Sequence, residues 1–172
     1  MLPTLLELEI ESPVYIRKID SRSKWDPEGC ENNLMERAKI ASELLFKDPD
    51  NLYSLWLVNT DKDFYGVLAA LSANRNSTGK HIDFICIKDS DLRQLNINYV
   101  KAPEGKCFLV QSLHFNASID SEMAARLCYI LMEQGIEAKR CSKQNTQLIL
   151  EHQLKIGCKA TKTTALLCDC EL

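Results

Sequence analysis

A chain of 172 residues is long enough to bury a core without disulfides or a metal, and one domain spanning residues 1–172 is expected. Its apolar share of 45% and charged share of 26% are those of an ordinary globular protein, and a net charge of −3 gives no electrostatic basis for binding nucleic acid or an anionic membrane. Eight cysteines would suit a secreted disulfide scaffold, but Met1 to Leu6 lacks a basic start and Glu7, Glu9 and Glu11 interrupt the apolar run, so a cytoplasmic chain with reduced, packed thiols is expected.

No apolar run approaches the roughly 20 residues that cross a bilayer. Val14 to Ile19 alternates β-branched and aromatic residues and reads as a first strand, followed by a loop at Trp25-Asp26-Pro27-Glu28-Gly29. Asn33 is a candidate N-cap with Glu36 as its capping-box partner, and Leu34, Ala38, Ala41 and Leu45 recur at helical spacing until Asp48-Pro49. Leu52 to Asn59 and Phe64 to Leu71 read as two antiparallel strands joined by the hairpin loop Thr60 to Asp63. Ser72 to Lys80 reads as an exposed loop, Ile82 to Ile87 as a strand and Asp89 to Leu95 as a short helix.

Cys107 to Phe115 is apolar enough for a strand buried on both faces and is expected to be the spine of the sheet. Asp120 or Ser121 caps a helix bearing Met123, Leu127, Ile130 and Leu131, which Gly135 ends before a strand from Ile136 to Lys139. A last helix from Asn145 to Ile156 carries His152 and closes at Gly157, ahead of a strand from Thr164 to Cys168. The implied fold class is α/β: a central mixed sheet of about six to seven strands with helices on both faces.

The order and several local patterns resemble the GNAT acyltransferase superfamily. The resemblance rests on Tyr15-Ile16-Arg17-Lys18-Ile19, on the hairpin opening Phe64-Tyr65-Gly66-Val67-Leu68, on Val110 to Phe115, and on Asn145 with the helix leading to Gly157-Cys158. It implies transfer of an acyl group, expected to be acetyl, from acetyl-CoA to the amine of a small molecule or peptide. Leu113, His114 and Phe115 would then hold the pantetheine arm, Met123, Ala124 and Ala125 the pyrophosphate, and Asn145 the cofactor beyond it. His114 or His152 would move protons.

The chain departs from the family pattern at two places. Asp120 and Glu122 bring negative charge to a helix N-terminus where phosphate would sit, and Gln153 stands where the family often has a tyrosine that protonates the leaving thiolate. A noncatalytic GNAT-like module that binds a ligand or a protein is therefore the rival expectation, as a monomer or homodimer. No metal site is expected: Cys168-x-Cys170 and Cys158 lack companions at zinc-ligand spacing.

Overall fold

A computed structural model describes residues 1–26, 33–46, 52–73, 80–103 and 108–156. Among these residues six strands form one sheet: β1 (Val14–Ile19), β2 (Leu52–Val58), β3 (Ile82–Ile87), β4 (Asn98–Lys101), β5 (His114–Ser118) and β6 (Lys139–Cys141). Their spatial order is β4-β5-β2-β1-β3-β6, and every neighbouring pair is antiparallel. Among the described residues the sheet is thus antiparallel rather than mixed.

Alternation along the strands divides the core in two. Val14, Ile16, Trp56, Val58, Ile82 and Phe84 point to one face. That face is covered by α3 (Asp61–Ala73), α5 (Phe108–Leu113) and α7 (Lys143–Lys155). Tyr15, Ile19, Tyr53, Leu55, Ile85 and Ile87 point to the other. It is covered by α1 (Arg22–Trp25), α2 (Leu34–Leu45), α4 (Asp89–Gln94) and α6 (Ser121–Glu133).

Local chemistry sets the helix ends. The Asn33 side chain accepts from the Glu36 N–H and Asp120 accepts from Met123, each satisfying a donor that a helix start leaves open. Gly135, at φ +75, follows α6 in the left-handed conformation that ends helices.

Two expected strands are helical instead. Phe64 to Leu71 lies within α3, where every residue from Phe64 to Leu71 is buried: a helix held between sheet, α5 and α7 is apolar all round and loses its polar stripe. Cys107 to Phe115 is not a spine. From Phe108 to Leu113 it is α5, and the strand that begins at His114 lies beside the edge strand β4, with β1 and β2 in the middle. β5, α6 and β6 do follow one another as a strand-helix-strand unit, but three strands separate β5 from β6 and the last strand starts at Lys139, later than expected. Gly157, Cys158, the strand expected over 164–168 and Cys170 lie outside the described residues, as do Pro27 to Gly29. No described helix is long and apolar enough to cross a membrane.

Candidate functional site

The short strand β6 is in register with β3 at three positions only, Ile82 with Cys141, Asp83 with Arg140 and Phe84 with Lys139. Beyond Phe84 the ladder stops. The lead-in to β6, from Gly135 to Glu137, and the end of β3, with Cys86 and Lys88, line a cavity of about 500 Å³ between them. Its remaining wall is the N-terminal segment before β1, through Glu9, Ile10 and Glu11, with Val14 at the start of β1.

That segment is a strap folded on itself and tied to the body. Leu8 and Ile10 donate back to the carbonyls of Thr4 and Leu5, and the Leu5 N–H donates to Asp61 Oδ1 at 2.7 Å on α3. Leu5 and Ile10 are buried in the core under it. Glu9 sits at φ +53, a left-handed conformation that costs a side-chain-bearing residue about 1–2 kcal/mol and that the surrounding turn holds in place.

Charge is arranged across the mouth of the cavity. Lys88 Nζ reaches Glu11 at 2.8 Å and Lys139 Nζ reaches Glu9 at 3.4 Å, so the residue that follows β3 and the first residue of β6 each supply a lysine and the strap supplies both carboxylates. The Lys88 ammonium, hydrogen-bonded to Glu11, holds that carboxyl below its usual range, and Glu11 in return raises Lys88. Cys86, on the floor, is pushed up to about 12 by burial, with the charge of Lys139 pulling weakly the other way. Its thiol is not a nucleophile at neutral pH.

β6 would be loosely held by three register positions were it not for Asp83. Its buried carboxylate takes Arg140 Nε at 2.7 Å and a second guanidinium nitrogen at 2.8 Å, and also accepts the Arg22 N–H at the start of α1. Burial opposes the charge, but Arg140 and the Arg22 N–H outweigh it and hold the carboxyl below its ordinary value. The Trp25 indole N–H adds a bond to the Ile136 carbonyl at 3.0 Å, fixing the chain that leads into β6.

The residues singled out from the sequence fall elsewhere and on both faces of the sheet. His114 is fully buried opposite Trp56 in the β2–β5 ladder, with ring centroids 4.3 Å apart. Its Nδ1 lies 2.5 Å from the Ala102 carbonyl oxygen, which only accepts, so Nδ1 carries the proton. Nε2 has no hydrogen-bond partner among the described residues and is closed off from solvent. Leu113 is buried in the same core, while Phe115 faces the opposite side among Tyr15 and Tyr99. His152 is half-buried on α7, edge-on to Tyr65 at 6.0 Å. The backbone N–H of Asn145 is taken by the N-cap Ser142, on the face opposite α6. Gln153 is buried on α7.

At the start of α6, the Met123 N–H is already occupied by Asp120 Oδ1 at 2.8 Å and Ala124 is buried. Ala124, Ala125, Ser121 and Glu122 line a hollow of about 290 Å³ shared with Lys39, Ser42, Glu43 and Phe46 of the α2 side. The structure therefore brings Leu113 and His114 together, and Met123, Ala124 and Ala125 together, but puts the second group and Asn145 on opposite faces.

The cavity at β6 was not visible in the sequence. It draws on three segments far apart in the chain, none with a motif; Glu7, Glu9 and Glu11 read only as a break in an apolar run, and Cys86 as a packed thiol. Among the described residues no group of three or more His, Cys, Asp or Glu is placed to hold a metal ion. No protein-family model, curated protein or solved structure matches the chain.

Proposed function

We propose that this α/β chain is a noncatalytic binding module that takes a small ligand in the cavity between β3, the lead-in to β6 and the N-terminal strap. One observation carries the reading: a cavity of about 500 Å³ is bordered by two lysine–glutamate pairs, and the shifts of its titratable groups agree with it. General acid–base and nucleophilic catalysis need groups tuned toward neutrality, whereas Glu11 is lowered, Lys88 is raised and Cys86 is pushed up to about 12. Each shift moves away from neutrality, which suits recognition by fixed charge.

A second reading keeps the acyltransferase, with the GNAT-like architecture that the sequence resemblance implies. What favours it is the hollow at the start of α6, lined by the small residues Ser121, Ala124 and Ala125 where the pyrophosphate of acetyl-CoA would lie. Against it stand the carboxylates of Glu43 and Glu122 in the same hollow and the Met123 N–H that Asp120 already uses. Calorimetric titration of the reduced protein with acetyl-CoA, run beside a free-thiol assay over an amine panel, separates the two. The binding module gives no saturable heat and no thiol release. One-site micromolar binding, abolished by Ala125→Arg and accompanied by amine-dependent thiol release, would establish the acyltransferase instead.

A further inference from the structure

The cavity's charge is layered by depth. Lys139 and Lys88 are 27% and 49% exposed, whereas their partners Glu9 and Glu11 are 85% and 84% exposed. Each lysine is thus less exposed than the carboxylate it pairs with, and all four side chains reach solvent. Ile10, Val14 and Ile136 supply the apolar part of a lining that is otherwise largely polar and charged. Glu137 also borders the cavity and is exposed.

Resting on the reading of this cavity as a binding site, we infer that its ligand is a small molecule with two anionic ends and a short apolar body, which takes Lys88 and Lys139 from the two glutamates of the strap. In the free protein Glu9 and Glu11 occupy the places of the ligand's anionic groups. They are stand-ins: a carboxylate on each lysine, carried by a segment that crosses the mouth. Exposed ion pairs of this kind are weak, so a ligand that is better desolvated inside the cavity displaces them.

The same four side chains would be used in the opposite sense by a cationic ligand, and this gives the test its sign. Linear dicarboxylates from malonate to adipate are titrated by calorimetry, with inorganic phosphate as a one-ended anion and putrescine as a dication. Binding is located from backbone amide shifts at Cys86, Ile136 and Lys139. One chain length is expected to bind best. Glu9→Gln with Glu11→Gln tightens it by about fivefold to tenfold, because two weak competing pairs are removed. Lys88→Gln with Lys139→Gln weakens it about tenfold or more. All four positions are at the solvent boundary and none is in the core, so the variants keep the fold.

The inference is overturned if the glutamate variant loses binding or putrescine binds better than every dicarboxylate. It is equally overturned if phosphate alone matches the best dicarboxylate, or if no dicarboxylate shifts the cavity amides even in the glutamate variant. These outcomes are distinct from failure of the binding-module reading, which would be marked by acetyl-CoA binding with thiol release.

Discussion

Removing Arg140 should change both the stability of the protein and the sign of one part of its pH dependence. Asp83 is buried, and its two closest donors are the two guanidinium nitrogens at 2.7 and 2.8 Å. Arg140→Ala leaves that carboxylate with the Arg22 N–H and His81 at 3.7 Å. Breaking a buried pair by taking one partner costs roughly 3–5 kcal/mol. Because these two contacts remain, the low end applies, about 3 kcal/mol at neutral pH. For a chain of this size that lowers Tm by roughly 6–12 °C. Asp83→Asn should cost less, about 2 kcal/mol, since the amide oxygen still accepts and Arg140, 39% exposed, can turn to water.

The sign with pH follows from linkage. In the wild type the folded Asp83 carboxyl is below its ordinary value, so it contributes stability that is present above the unfolded pKa of about 4 and is lost as pH falls through the folded value. In Arg140→Ala the burial that already opposes the charge is left dominant, and the folded pKa rises above the unfolded one. That group then favours folding in acid and loses its contribution as pH rises. Urea unfolding at neutral pH and near pH 4.5 should show the gap between wild type and variant narrowing on acidification. Asp83→Asn added to Arg140→Ala should recover part of the loss, because no buried charge is left unpartnered. A gap that widens in acid, or a variant within about 0.5 kcal/mol of wild type at neutral pH, would refute the reasoning.

Other outcomes are expected from the same structure. Asp120→Ala removes the N-cap of α6 and should cost about 1 kcal/mol, measured by urea unfolding. With its thiol at about 12, Cys86 is expected to hold only about 10⁻⁴ of its population as thiolate at pH 8, so iodoacetamide should label it far more slowly than an unperturbed cysteine when followed by mass spectrometry. His114→Phe keeps a ring against Trp56 but strips the Ala102 carbonyl of its donor, and a loss of about 1–3 kcal/mol is expected by the same unfolding assay. Phe64→Ala, at a fully buried position on α3, should cost about 3–5 kcal/mol, a magnitude an exposed strand position would not give.

What the sequence made legible was punctuation. Asn33 with Glu36, Asp120, and Gly135 each have a local mechanism, and each ends or begins its helix where the chain said. Runs that are apolar on every side carried no such mark. Phe64 to Leu71 has no period because α3 is surrounded by core, and length and flanks had to decide. The deciding signal was present in Thr60-Asp61-Lys62-Asp63. Asp63 N–H donates to Thr60 Oγ1 and Thr60 N–H to Asp63 Oδ2, a capping box that reads equally well as a polar hairpin loop. The Phe108 to Phe115 stretch failed differently: helix and strand meet inside one apolar run, with the break at His114, and β4 before it is too short and polar to announce itself. Of the candidate site, none of the strap, Lys88 or Lys139 was legible, because their meeting depends on where the β3–β6 ladder ends.

That ending is what ties the anchor to the site. A strand of three residues at a sheet edge has little ladder to hold it, and extending the ladder past Phe84 would close the space where the cavity lies. Asp83 and Arg140 supply the missing hold by side chains, at the middle of the three register positions, and Trp25 holds the Ile136 carbonyl in the lead-in. The gap between β3 and the lead-in to β6 is therefore bordered by chain that these two contacts hold, while its outer wall is a strap attached through Leu5, Ile10 and two solvent-exposed ion pairs. Loosening the frame and loosening the strap should thus be separable. Arg140→Ala should weaken dicarboxylate binding together with stability, whereas Glu9→Gln with Glu11→Gln should strengthen binding at nearly unchanged stability, measured by the same titration and unfolding series. If the two variants move binding in the same direction, the strap and the frame are one unit and the glutamates do not stand in for a ligand.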